Sequence, residues 1–292
     1  MKVLIFGNGN PIKMLLAAFK KEGISVLGVQ QDKPLASPMQ EEFTAFLTDN
    51  NLPLVTEGHH AYTTCDVIFV MNYNRIIDLE AFAGKKIINL HMGLLPVYRG
   101  NNANAWAVMN GEKKVGYTLH DVTDLLDAGD IYYKFEYNIE NDLTYHNAKQ
   151  AIENDIALNA GIVLSKIYKE QLKPVSQSAS DFIYCSRLRP SDGIIKNWDE
   201  NTEWFIRRHY VFGKPLGTGL KFNYKSSFFT IGGITNVPGF LPSAGASGAI
   251  VYINGNSLWI KTKNTAVSLS NITTENGEEI NVKDFFKIGV RL

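Results

Sequence analysis

The sequence predicts an α/β fold: a doubly wound, mostly parallel sheet followed by a small all-β domain. Three observations predict it. Up to residue 170, strand-like apolar runs alternate with stretches whose apolar residues recur at helical spacing, the pattern of a parallel sheet covered by helices. One run, Asp66 to Met71 (DVIFVM), is almost continuously apolar, as a central strand buried on both faces must be. From Gly219 onward the pattern changes to short strands separated by Gly, Asn, Ser and Pro, which suits a small barrel of the OB type.

Taken in order, Lys2 to Phe6 is a first strand, and Pro11 opens a helix carrying Leu15, Leu16, Ala18 and Phe19. Between them Gly7-x-Gly9 lacks the third glycine of a dinucleotide fingerprint, so a tight strand-to-helix turn explains it better than a cofactor. Ser25 to Val29 reads as a second strand, Gln40 to Thr48 as a second helix, and Leu52 to Val55 as a short third strand. Beyond Asp66–Met71 come a helical turn or two over Asp78–Phe82 and a strand over 86–91. Ala103 to Met109 reads as a helix stopped by Asn110-Gly111. Val115–Val122 and Ile131–Tyr137 read as strands on either side of the loop Leu125-Leu126-Asp127-Ala128-Gly129-Asp130.

Residues 144–170 carry Ala148, Ile152, Ile156, Ala160, Val163 and Ile167 at helical spacing. Leu158 and Ile162 lie off that stripe and are expected against a second neighbour. This Rossmann-like domain, with right-handed crossovers, is expected over 1–175. Residues 171–182 lose periodicity and hold Pro and three Ser, as a linker does. The second domain, over 183–292, opens with a helix from Trp198 to Tyr210, with Asp199 at its start. Its strands are expected at Leu220–Tyr224, Ser227–Ile231, Gly248–Ile253, Ser257–Lys261 and Val267–Ile272, with a hairpin signal at Asn254-Gly255.

Composition narrows the function. Lys+Arg and Asp+Glu both total 29, so no global cationic field points to nucleic acid or an anionic membrane. No stretch approaches the roughly 20 apolar residues of a bilayer span, and MKVLIFGNGN reads as a strand rather than a signal peptide. Cys65 and Cys185 lie far apart and suggest neither a disulfide framework nor a metal knuckle. A cytoplasmic protein with reduced thiols and no metal is expected.

The stretch 86–100, KIINLHMGLLPVYRG, is the centre of the chemistry. Ile87, Ile88 and Leu90 make a short buried strand, and alternation sends Asn89 and His91 to one face. Ligands of open α/β sheets bind outside the carboxyl ends of the strands, where this pair falls. Alone, the pair reads more readily as a satisfied core histidine and a turn-capping asparagine than as a site. The chain from Asn89 reads N-x-H-x-G-L-L-P-x-Y-R-G, then T-x-H at Thr118 to His120, then L-D-A-G at Leu126 to Gly129. In this order the motifs resemble the formyltransferases that use 10-formyltetrahydrofolate. Those include glycinamide ribonucleotide formyltransferase, methionyl-tRNA formyltransferase and the nucleotide-sugar N-formyltransferases. GIIKNW, IRRHY and the closing ITTENGEEINVKDFFKIGVRL resemble the small C-terminal domain of the last two.

The resemblance implies that Asn89, His91 and Asp127 form the catalytic set. Formyl transfer to an amine is acyl transfer, so the developing oxyanion needs a preorganised donor and the ammonium needs a base. Asn89 suits the first role. His91 suits either, and Asp127 is suited to orient it and relay the proton. The resemblance also implies that Met71, Asn72 and Tyr73 hold the pterin, chiefly through backbone groups. His120 is either a pocket residue or a satisfied strand histidine. Arg99 either binds an anion of the substrate or locks its turn. Asn104 and Trp106 in NNANAWAVM are available to a sugar or base, though Trp106 is equally a core residue.

Two acceptors are expected from the resemblance: a nucleotide-linked amino sugar, for surface polysaccharide such as lipopolysaccharide O-antigen, or the aminoacyl end of initiator tRNA. The tRNA enzymes carry a basic insertion in the catalytic domain. Here the second strand is followed by QDKPLASPMQEE, with more acid than base. Residues 183–292 hold thirteen Lys/Arg against eight Asp/Glu, a net of +5 and short of the cationic stripe that phosphate contacts require. The amino sugar is therefore preferred over nucleic acid. A homodimer is expected by resemblance alone, and a binding module that keeps the fold without turnover is disfavoured by the intact Asn89, His91 and Asp127.

Overall fold

The unbroken apolar run ending at Met71 becomes a strand with every residue buried, in the middle of a six-stranded sheet. The computed structural model describes residues 1–139, 145–177, 182–213, 217–237, 239 and 245–292. In chain order the first elements are β1 (Lys2–Gly7), α1 (Asn10–Lys21), β2 (Ser25–Gln30), α2 (Met39–Asp49), α3 (Ala61–Thr64), β3 (Val67–Met71) and β4 (Lys86–His91). They continue with β5 (Tyr98–Gly100), α4 (Ala103–Asn110), β6 (Lys114–Asp121), β7 (Ile131–Asn138), α5 (Tyr145–Tyr168) and β8 (Ile183–Cys185). The start expected for the long helix, residue 144, and residues 178–181 of the expected linker lie outside the described residues.

The sheet order is β2-β1-β3-β4-β6-β7. β2, β1, β3 and β4 run parallel, whereas β4–β6 and β6–β7 are antiparallel. The sheet is thus mostly parallel with a reversed edge. Connection length accounts for the β6–β7 reversal, because the loop 122–130 is shorter than the dozen or more residues a parallel crossover takes. Leu52–Val55 is not a strand. Leu54 makes a single bridge to Val29, since Pro53 has no N–H to extend the ladder.

Alternation sends Leu4, Phe6, Ile68, Val70 and Ile87 to one face, where they pack with Val55, Ala61, Cys65 and Phe82. Each Leu, Ile, Val or Phe among them contributes about 1.5–3 kcal/mol on full burial. Phe69 points to the other face and meets Phe19 of α1 edge-on, with ring centroids 5.2 Å apart. The apolar stripe of α5 is buried as its spacing predicts. Gly161 lets α5 approach α1 closely, since a Cβ there would sit 2.5 Å from the Ala18 carbonyl. Leu158 and Ile162 are 61% and 37% exposed, so the second neighbour expected for them is not found among the described residues.

Chain contacts divide the molecule into two units. The first comprises residues 1–106, 114–142 and 147–186, and the second 107–113, 143–146 and 187–292. The second holds two four-stranded sheets, one joining 194–195, 220–224, 227–231 and 273–274, the other 233–236, 250–254, 257–261 and 266–270. The hairpin signalled by Asn254-Gly255 is present, with Gly255 at φ 60°. The helix expected from Trp198 runs instead from Thr202 to Phe212. Trp198 is drawn into the core, stacked on Phe205 at 5.2 Å, and the helix opens at Asn201 rather than Asp199.

Candidate active site

β4 and β6 together build the candidate site. Their antiparallel register sets Asn89 directly opposite His120 and His91 opposite Thr118, so all four side chains share one face. A register shift between Leu119 and His120 in the β6–β7 ladder falls beside the site, as bulges often do. Asp127 arrives from the loop after β6 with φ 49°, a left-handed conformation that asparagine and aspartate tolerate best among residues with a Cβ. Gly129 lets this loop lie against the Asp121 carbonyl, where a Cβ would collide.

The side chains expected to act together do converge. Asn89 Nδ2 donates to Asp127 Oδ1 at 3.2 Å and lies 3.0 Å from His120 Nε2. His91 Nδ1 is 3.4 Å from Asp127 Oδ2, and its Nε2 is 2.8 Å from the Tyr98 carbonyl. Gly100 N–H donates to Asp127 Oδ2 at 2.8 Å. His120 Nδ1 faces the Asp121 carbonyl at 2.7 Å, so that nitrogen carries hydrogen, and Nε2 lies between Asn89 Nδ2 at 3.0 Å and Asp127 Oδ1 at 3.5 Å. His91, His120 and Asp127 are buried, whereas Asn89 is half-buried and is the member open toward solvent.

Burial pushes the Asp127 carboxyl up, but hydrogen bonding with His120, the His91 imidazole and the Gly100 N–H together hold it below its ordinary value. It is a carboxylate near neutral pH. Burial pushes the His91 imidazole below its ordinary value, and the Asp127 charge and the Tyr98 carbonyl only partly offset this. Each ring nitrogen of His91 faces an acceptor. A neutral ring has a single N–H, so His91 is one proton short of satisfying both. The ring is therefore neutral near pH 7, the form in which it can accept a proton.

The other residues singled out in the sequence fall in three groups. Val70 pairs with Asn89 in register, which places the end of β3, and so Met71 to Tyr73, beside the site. The Asn72 side chain turns back to donate to the Asn8 carbonyl at 3.2 Å, while Tyr73 packs on Phe6. Asn104 is 3% exposed, and its amide donates to Gly116 O at 2.7 Å and accepts from Gly116 N at 3.0 Å. This corrects the expectation that Asn104 is free for a ligand, because its amide mimics a strand partner. Arg99, 5% exposed, donates to Gln177 Oε1 at 2.9 Å and lies over the Phe182 ring at 4.3 Å. Neither of its two readings describes this, because the partner is a side-chain oxygen 78 positions away and not a carbonyl of its own turn. Trp106 spends its indole N–H on the Ser186 carbonyl at 2.8 Å and keeps a half-buried ring.

Sequence reasoning missed four contributors. The Tyr98 carbonyl and Gly100 N–H are backbone groups without a residue-type signal. Thr118 donates to Gly93 O at 2.7 Å and accepts from Leu95 N at 3.1 Å, fixing the turn after His91. Its signal was the T-x-H alternation. Gln177 lies in the stretch read as linker. Gly93 also matters, since a Cβ there would stand 2.6 Å from His91 Nε2 and 2.5 Å from Ala103 Cβ. Gly93→Ala is expected to displace His91 and lower kcat about tenfold or more, checked by steady-state rates alongside circular dichroism.

Among the described residues no group of three or more His, Cys, Asp or Glu side chains is placed to hold a metal, and no helix is long and apolar enough to cross a membrane.

A family model for formyl transferases matches residues 1–167. A methionyl-tRNA formyltransferase from Clostridium acetobutylicum is 33% identical over 145 residues, covering 47% of this chain and 45% of that protein. The chain therefore spans less than half of that relative. A methionyl-tRNA formyltransferase from Fusobacterium nucleatum is 25% identical over 320 residues, covering 100% of both chains. Among solved structures, the N-formyltransferase from Helicobacter canadensis in complex with folinic acid and dTDP-3-aminofucose has 17% identity and a TM-score of 0.69. That likeness covers 94% of this chain and 100% of the other, and at such identity it is one of fold.

Proposed function

The chain belongs to the formyl transferase family, and from that premise we propose that it moves a formyl group from 10-formyltetrahydrofolate to the primary amine of a nucleotide-linked amino sugar. A dTDP-4-amino-4,6-dideoxy sugar is the type of acceptor meant, its product serving surface polysaccharide. The observation that carries the reading is the meeting of Asn89, His91 and Asp127 at one end of β4. The folate supplies the formyl group. The main chain at Met71 to Tyr73 suits its pterin, being one strand away from Asn89.

Asn89 is the half-buried donor: one N–H of its amide stays with Asp127, and the other turns from His120 Nε2 to the formyl oxygen as negative charge develops there. Removing a donor of this kind in comparable sites costs roughly 3 kcal/mol. The acceptor ammonium loses its proton to the His91–Asp127 pair. With that proton, His91 donates from both nitrogens, to Asp127 and to the Tyr98 carbonyl.

Charge supports the sugar acceptor. Residues 31–42 hold one Lys against one Asp and two Glu, and the whole chain is neutral, whereas tRNA affinity rests on phosphate contacts. The second reading, methionyl-tRNA, is favoured by the methionyl-tRNA formyltransferases to which the chain is similar. Residues 1–175 are read as the catalytic domain and 183–292 as an OB-like domain, in a cytoplasmic homodimer. Incubation with 10-formyltetrahydrofolate and either dTDP-amino sugars or Met-tRNA, followed by mass spectrometry of each amine, tests the acceptor. A formylated sugar is expected; formylation of tRNA alone overturns the sugar reading.

A further inference from the structure

We infer that Gln177 is a positioning residue for the reaction, acting through the backbone of the Asp127 loop, and that Arg99 fixes Gln177 in that role. This rests on the reading of Asp127 as part of the proton-accepting pair. The Gln177 carboxamide nitrogen donates to two main-chain carbonyls at once, Asp127 O at 2.9 Å and Gly129 O at 2.6 Å. Its oxygen accepts from Arg99 Nη2 at 2.9 Å. Arg99 is itself buried and stacked over Phe182.

The loop needs such a hold. Asp127 sits at φ 49°, where an L-residue gains nothing from local conformational preference, and the Leu125 and Leu126 side chains before it are exposed, leaving the bonds of Ala128 N–H and Thr123 Oγ1 to the Leu125 carbonyl as the local hold. Two carbonyls in three residues, both tied to one planar amide, fix the orientation of the 127–128 and 129–130 peptides. They thereby fix the direction in which the Asp127 carboxylate leaves the chain. Without them the carboxylate drifts from Asn89 and His91, and near-attack geometry is lost at small displacements. Gln177 touches no reacting atom.

The test is a double-mutant cycle on the intact chain, with the amine that the wild-type enzyme formylates as acceptor. A different acceptor then refutes the sugar reading and leaves this one standing. Gln177→Met keeps the volume of the side chain and removes its donors. Its kcat is expected to fall about 10- to 100-fold, with KM for both substrates within about threefold and unfolding temperature nearly unchanged. In an Asp127→Asn background, measured by single turnover, the same substitution is expected to change the rate by less than about threefold, because its route to the chemistry is already broken. If Gln177→Met does not fold, Gln177→Asn, too short to reach both carbonyls, takes its place. A wild-type kcat in the single variant overturns the proposal. So does an equal loss of rate in both backgrounds, which marks a purely structural role.

Discussion

His91→Ala is expected to lower kcat by about 1000-fold, equivalent to about 4 kcal/mol of transition-state stabilisation, while folate affinity changes by less than about threefold. The reason is the placement of the ring between two acceptors. Asp127 Oδ2 lies 3.4 Å from Nδ1 and the Tyr98 carbonyl 2.8 Å from Nε2, so proton uptake completes two interactions that the neutral ring can satisfy only by half. Alanine removes the proton acceptor and leaves the Asp127 carboxylate buried without it. The main chain from Met71, the last residue of β3, to Tyr73, proposed to hold the pterin, is untouched, which is why binding is expected to survive. Rapid-quench turnover and folate titration by fluorescence check the two halves separately. Unchanged turnover removes His91 from the chemistry.

Asp127→Asn is expected to cost a comparable factor, about 1000-fold in kcat, although it is nearly isosteric. Oδ1 accepts from Asn89 and Oδ2 from Gly100 N–H. Whichever way an asparagine amide is turned, its NH2 group faces one of those donors, so one bond is replaced by a clash of hydrogens. The negative charge that would hold an imidazolium at His91 is also lost. Acid stability gives an independent readout. The folded-state pKa of Asp127 lies below its unfolded value of about 3.9, so its contribution is present above that value. It is lost as pH falls through the lower folded value. The variant should therefore lose stability less steeply than wild type below about pH 4, as urea midpoints across that range will show.

Much of the catalytic sheet was legible because burial on both faces leaves an unambiguous trace. Val67–Met71 and the α5 stripe fell where their apolar residues placed them. Direction was hidden. β6 and β7 alternate as strands of either polarity would, and only the short loop 122–130 tells that they must reverse. Leu52–Val55 looked strand-like by side chain but failed at Pro53, whose carbonyl accepts from Val29 while its nitrogen offers nothing. Trp198 read as a helix face and became core, because tertiary packing overrides local propensity. Asn89 and His91 stood two apart on one strand and pointed to each other's face. Asp127 was legible only through the L-D-A-G pattern, since its partners lie across the sheet. Asn104, Arg99 and Gln177 could not be sorted from sequence. Whether a polar side chain faces a ligand or a carbonyl of its own chain depends on long-range contacts, and those three resolved toward the chain.

The pairing of Asn89 with His120 across two opposed strands makes this chemistry intolerant of slippage. Sliding β4 by a single position against β6 would set Asn89 against Leu119 or Asp121, whose side chains leave from the other surface. Packing can absorb such an offset in part, but the polar quartet cannot. Damage anywhere along this ladder is thus expected to silence the proposed activity long before the protein melts, and the hydrogen bonds of the ladder serve as the ruler by which Asn89 and His91 are spaced from His120 and Thr118.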